Sequence, residues 1–243
     1  MTPLPSLRLF LLLALLCIPP FAQADFDAAV KSANDGDYAT AFAEFSKLAE
    51  QGDARAQQAL AWMYYDGQGR DRDYAKAAYW YRKAAEQGNV TAQINLAQMY
   101  AYGQGVTQNF TEAARWWRKL AEQGDARSQA ALGGLYYLGQ GVEKDYAEAA
   151  RLWTAAAKQG HVDAQLNLGL MYGKGQGVAQ DDLQAYAWLT AAARQGSEVA
   201  DKSREYALTQ LDDTRRTEAE ALAEKYLKDY VEPFVEGTPS PHK

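Results

Sequence analysis

From Ala54 onward the apolar positions follow a helical rhythm. Placed at 100° intervals, Ala56, Leu60, Ala61, Met63 and Tyr64 fall on one side together with a single polar residue, Gln57. This predicts a first helix over 54–65 with that side packed. Gly67 and Gly69 then interrupt the pattern, since glycine accepts the positive φ that a helix-ending loop needs. A second stripe follows in Tyr74, Ala77, Ala78, Tyr81, Ala84 and Ala85, spaced as i, i+3, i+4, i+7. Asp73 stands before it as an N-cap and Gly88 closes it. The unit read from these signals is a helical hairpin with a long turn.

The hairpin then repeats. Gly52, Gly88, Gly124, Gly160 and Gly196 are each 36 residues apart, without insertion or deletion. Gln57, Gln93, Gln129 and Gln165 form one column in this register, Leu60, Leu96, Leu132 and Leu168 a second, and Tyr64, Tyr100, Tyr136 and Tyr172 a third. The N-cap column reads Asp53, Asn89, Asp125 and then His161, a weaker cap. A fixed period of this length signals a stacked array, which presents one long surface and favours binding over catalysis.

The columns at Ala164-Gln165, Leu168-Gly169, Met171-Tyr172, Gly175-Gln176-Gly177-Val178, Asp181 and Ala191-Ala192-Ala193 resemble the Sel-1-like repeat, a member of the tetratricopeptide class. That resemblance implies an all-α fold, a right-handed α-solenoid of stacked antiparallel helical hairpins. Four units are expected, at 53–88, 89–124, 125–160 and 161–196. The departures are Arg70, where the later units carry Val106, Val142 and Val178, and Asp182 and Tyr186 in the second helix of the last unit. Upstream, Tyr38, Ala41, Phe45, Leu48 and Ala49 continue the register, so 25–52 is expected to form a capping hairpin with a first helix near 26–33. Downstream, two charged amphipathic helices over 197–211 and 213–230 predict a C-terminal cap at 197–232, followed by a disordered proline-containing tail at 233–243.

The first two dozen residues follow another logic. Arg8 is their only charge, an apolar run extends from Leu9 to Ile18, and Ala22-Gln23-Ala24 offers small residues at a cleavage site. This predicts a signal peptide at 1–24 and an exported protein, periplasmic first and extracellular as the alternative, because the run is too short to span a bilayer. Leu16 before Cys17 argues against a lipid anchor. Without the leader no cysteine remains, so helix stacking and not disulfides must hold the array together. The net charge of −6 becomes −7 once Arg8 is removed, which gives the chain no electrostatic reason to seek nucleic acid or an anionic membrane.

Function is expected on the first helices, opposite the packed stripe. The positions there are Arg55, Gln58, Trp62 and Tyr65 in the first unit, and Thr91, Ile94, Gln98 and Tyr102 in the second. They continue as Arg127, Tyr137 and Leu138, then Asp163, Leu166, Leu170 and Lys174. These columns vary while the packing columns do not. The resemblance to tetratricopeptide proteins implies that they line a concave groove for a protein or peptide partner. Trp80, Trp116, Trp117, Trp153 and Trp188 are assigned instead to packing between hairpins. No cofactor, metal or catalytic residue is expected: His161 and His242 are the only histidines, and the Gly-Gln-Gly loops follow helices and lack phosphate-loop spacing. The expectation is thus a monomeric, non-catalytic adaptor. Its rivals are a cell-wall or β-lactam hydrolase, as assigned to some cysteine-rich relatives, and a structural homo-oligomer.

Overall fold

The structure is a computed structural model that describes residues 20–234. The leader up to position 19, and with it most of the expected signal peptide, lies outside the described residues, as does the tail from 235 on. The described residues form twelve α-helices and one short 3-10 helix, with no strand. A front hairpin pairs α1 (Pro20–Asn34) with α2 (Tyr38–Glu50). Four hairpins follow: α3 (Ala54–Asp66) with α4 (Tyr74–Glu86), α5 (Val90–Tyr102) with α6 (Phe110–Glu122), α7 (Ala126–Leu138) with α8 (Tyr146–Ala157), and α9 (Val162–Lys174) with α10 (Asp182–Arg194). The chain closes with α11 (Glu198–Thr209), α12 (Asp213–Tyr230) and the 3-10 turn Glu232–Phe234. From α1 to α11 each helix packs on the next, which is the architecture of an α-solenoid.

Helix ends lie where the capping residues put them. The Asp73, Asn109, Asp145 and Asp181 side chains accept first-turn amide hydrogen bonds at 2.9 to 3.1 Å, and Asp125 accepts from Ser128 at 2.7 Å. Each of these satisfies a donor that a helix start would otherwise leave open. The front helix differs from expectation. It begins at Pro20, upstream of the start expected near 26, and runs through the expected cleavage position after Ala24.

The glutamine column lies inside the stack, where it does the work of a bolt. Gln57, Gln93, Gln129 and Gln165 are all buried. Each donates through Nε2 to a carbonyl at the end of the preceding helix, Ala49, Ala85, Ala121 and Ala157 respectively, at 2.9 to 3.2 Å. Three of them also accept from a glutamine 30 residues on: Gln87 bonds Gln57 at 2.7 Å, Gln159 bonds Gln129 at 2.9 Å and Gln195 bonds Gln165 at 2.7 Å. The last carbonyls of a helix have no partner within it, so a buried amide that reaches them answers a need every hairpin junction shares.

The second loop glycine has two reasons to be glycine. Gly141 has φ +68°, and a Cβ built on it would stand 2.3 Å from the Phe110 carbonyl carbon one repeat earlier. Gly105 meets the Tyr74 carbonyl oxygen in the same way at 2.1 Å. The loop of each repeat therefore rests directly on the first turn of the preceding second helix. Thr111 Oγ1 donates to the Gly141 carbonyl at 3.2 Å across this contact. Turn formation accounts for the positive φ of these glycines, and close approach between repeats is a second reason for them.

Leucines and alanines fill the core. Leu60, Leu96 and Leu168 are completely or almost completely buried, each contributing roughly 1.5–3 kcal/mol of apolar burial. Small and large residues compensate across the stack: Trp153 sits where a Cβ on Gly133 would lie 2.7 Å from its Nε1, and that Nε1 donates to the Ala130 carbonyl at 3.0 Å. At the end, α12 turns back over α10. Its Tyr226 and Tyr230 rings lie 4.4 and 5.3 Å from Trp188, and the Tyr230 carbonyl accepts from Gln165 at 3.2 Å.

Candidate interaction face

The side of the first helices that faces away from the packed stripe is uneven. Trp62, Tyr102 and Leu138 are 43%, 73% and 57% exposed, large apolar side chains from three successive repeats. Thr91, Gln98, Arg127, Asp163 and Lys174 are exposed beside them. Arg55, Gln58, Tyr65, Ile94, Tyr137, Leu166 and Leu170 are half-buried. Leu166 and Leu170 pack against the core formed by α10, α11 and α12, so part of the strip helps to join repeats. Arg55 is engaged at the front: its guanidinium bonds Asp53 at 2.8 Å, lies 4.3 Å over the Phe26 ring and donates to Gln23. Burial pushes the Asp53 carboxyl up, but the hydrogen bonds from Arg55 and Ala56 outweigh it and hold it below its ordinary value.

Between neighbouring first helices the face opens into recesses. One, of about 230 Å³, lies between α3 and α5 beside Trp62, Tyr65 and Gln98. Another, of about 280 Å³, lies between α7 and α9 beside Tyr137, Leu138 and Leu170. The two are built alike. Tyr65 donates to Gln104 Oε1 at 3.1 Å, and Tyr137 donates to Gln176 Oε1 at 3.1 Å. Behind them Tyr65 lies 5.1 Å from Tyr74, and Tyr137 lies 5.1 Å from Tyr146 and 5.4 Å from Trp153. The floor of the first recess includes Tyr81, whose hydroxyl burial keeps protonated by raising its pKa, with Tyr65 adding to the effect and Asn95 opposing it.

These details had a trace in the sequence that column-by-column reading passes over. The column after Tyr64 reads Tyr65, Ala101, Tyr137, Gly173, and the column of Asn95 reads Ala59, Asn95, Ala131, Asn167. Large and small thus alternate on top of the 36-residue period, so that a tyrosine in one repeat meets an asparagine and a loop glutamine in the next. Gln104, Gln176, Asn95 and Asn167 join the face on that basis. The tryptophans assigned to packing are buried at Trp116, Trp117, Trp153 and Trp188 and half-buried at Trp80. Among the described residues no group of three or more His, Cys, Asp or Glu is placed to hold a metal ion, and no helix is long and apolar enough to cross a membrane.

The description of the Sel1 repeat matches residues 54–89, 90–125, 126–161 and 162–197. Among solved structures, the chain is similar to a protective antigen of uropathogenic Escherichia coli that displays an SLR fold, at 30% identity and TM-score 0.74. That match covers 91% of this chain and 51% of the antigen, so the chain spans about half of its length. It is also similar to a Sel1 repeat protein from Oxalobacter formigenes, at 31% identity and TM-score 0.67 over 82% of this chain and 84% of that one. Comparison with curated proteins finds no match. Sel1 repeats are generally non-catalytic scaffolds that mediate protein interactions. With four matched repeats in one unbroken register and two related structures over most of its length, the chain belongs to the Sel1 repeat family.

Proposed function

We propose that this protein is an exported adaptor of the bacterial envelope, which binds a segment of a partner polypeptide along the face of its first helices. The supporting observation is the row Trp62, Tyr102 and Leu138: exposed, apolar and contributed by three consecutive repeats. A contiguous apolar strip rimmed by polar side chains is a feature of interaction sites, and Gln98, Arg127 and Lys174 supply such a rim. The partner's apolar side chains would anchor on the strip while its polar groups meet the rim, as in other groove-binding helical scaffolds. Export rests on the Leu9–Ile18 run and the Ala22-Gln23-Ala24 site.

The test is a triple variant, Trp62→Ala, Tyr102→Ala and Leu138→Ala, compared with wild type in partner capture from envelope extract. Because all three are exposed, helical content should be unchanged and stability should stay within about 0.5 kcal/mol per site, while capture is lost. Undiminished capture, or collapse of the fold, would overturn the reading. Protein recovered from the periplasm should begin at Asp25; an unprocessed chain retained in the cytoplasm would refute export.

A further inference from the structure

The last recess on the interaction face is built differently from the others. In repeats one and three, three aromatic rings fill the space at the hairpin junction: Tyr65, Tyr74 and Tyr81 in the first, Tyr137, Tyr146 and Trp153 in the third. The fourth repeat carries Gly173, Asp182 and Leu189 at those three positions. Nothing replaces the lost rings. A Cβ on Gly173 would meet only Ala185 Cβ, at 3.8 Å. The recess bounded by α9, α10 and α11 accordingly measures about 380 Å³, against about 280 and 230 Å³ for its counterparts. That volume reaches the range of ligand pockets, which the other two do not.

The surroundings of this void are also distinct. Leu170 and Leu189 give it an apolar wall, and Tyr206 of α11, 69% exposed, stands at its edge. Asp182 is half-buried in the lining and makes no side-chain hydrogen bond or ion pair among the described residues. Lys174 and Lys202, from opposite helices, are exposed and likewise without a partner. In the filled recesses the ring's hydroxyl donates to a glutamine oxygen from the next loop. Here Gln180 and Gln210 also line the recess, and Asp182 is its only carboxylate, the one charged acceptor it offers to such a donor.

We infer that this recess receives a tyrosine or tryptophan side chain of the partner polypeptide, flanked there by acidic residues. The ring occupies the space that Tyr65 and Tyr137 fill in their own repeats, its O–H or N–H donates to Asp182, and the flanking carboxylates meet Lys174 and Lys202. An acidic partner on an acidic chain needs a local positive site, and two unpaired lysines supply one. The inference rests on the first-helix face being the binding face, and adds to it the chemistry of one anchor.

The experiment pans a displayed peptide library against the purified chain and measures the enriched peptides by fluorescence polarisation. Enriched peptides should carry Tyr or Trp next to Asp or Glu. Gly173→Tyr, which fills the recess from within, should weaken them at least tenfold without lowering the melting temperature. Lys174→Glu with Lys202→Glu should also weaken them at least tenfold. Peptides that bind Gly173→Tyr as well as wild type but fail on the Trp62, Tyr102 and Leu138 variant overturn this inference and leave the wider face standing. Peptides with the reverse dependence support the recess and sink the wider strip. No enrichment at all overturns both. Self-association that Gly173→Tyr abolishes assigns the recess to a second copy of the chain and overturns the partner assignment.

Discussion

His161 is the one imidazole in a column of carboxylates and amides, and it caps its helix less well than they do. Its Nδ1 accepts from Ala164 N at 3.4 Å, against 2.7 Å for Asp125 on Ser128. Burial holds its pKa below the ordinary 6.5, an effect that Arg127 adds to and that Asp163 and Asp125 oppose. A neutral ring can accept the amide and a protonated one cannot. Because the folded value is the depressed one, the unfolded chain takes up the proton first as pH falls. The stabilising contribution is therefore complete above 6.5 and declines as pH drops below it. His161→Asn, copying Asn89, should stabilise the chain by about 0.5–1 kcal/mol and flatten the dependence of urea stability between pH 7 and 5. An unchanged slope would show that the pH dependence arises elsewhere. That His161 would be a poor cap was legible from its type alone. That Gln57 and its copies belong inside was legible from their phase in the stripe, but the carbonyls they bond belong to the preceding helix, and phase within one helix says nothing about those.

At the scale of the element, two sorts of glycine punctuate the array, and they should respond differently to substitution. Gly124 ends a second helix with φ +93° and has nothing within 4 Å of a built Cβ. Gly141 combines φ +68° with a backbone only 2.3 Å away. Gly124→Ala should cost about 1–2 kcal/mol, the strain of a left-handed residue. Gly141→Ala should cost that and a further 1–3 kcal/mol or so for forcing two repeats apart. Urea titration of both variants checks the order, and equal costs would mean that the loop gives way without disturbing its neighbour. Helix starts were legible because each N-cap is a local signal, as at Asp73, Asp145 and Asp212. The extent of α1 upstream of Phe26 was not, because no N-cap signal stands in that stretch. On the interaction face, exposure of Trp62 and Leu138 followed from helical phase, whereas the recess at Gly173 required knowing which rings meet across a junction.

For the whole molecule the question is what closes an open-ended stack. α12 does so by an arrangement that its amphipathic pattern could not reveal, since a buried stripe does not name its partner. Instead of extending the array it folds back over α10, and Val231 joins the core that contains Trp153 and Ala157. Phe234 continues this path to Gly160, where a built Cβ would lie 2.8 Å from its ring. Repeat arrays lose structure from their ends, because each unit is held only by its neighbours. A chain ended at Leu211 would uncover Trp188 and remove the Tyr230 carbonyl from Gln165. Burial of one large apolar side chain is worth roughly 1.5–3 kcal/mol, so uncovering Trp188 and losing Val231 together should cost on the order of 3–6 kcal/mol. The loss should be local: amide exchange in α9 and α10 should accelerate strongly while α3 to α6 keep their protection, and tryptophan emission should shift to the red. Uniform acceleration along the chain would mean that the array unfolds as one cooperative unit, and unchanged exchange in α10 would mean that α12 is an ornament and not a cap.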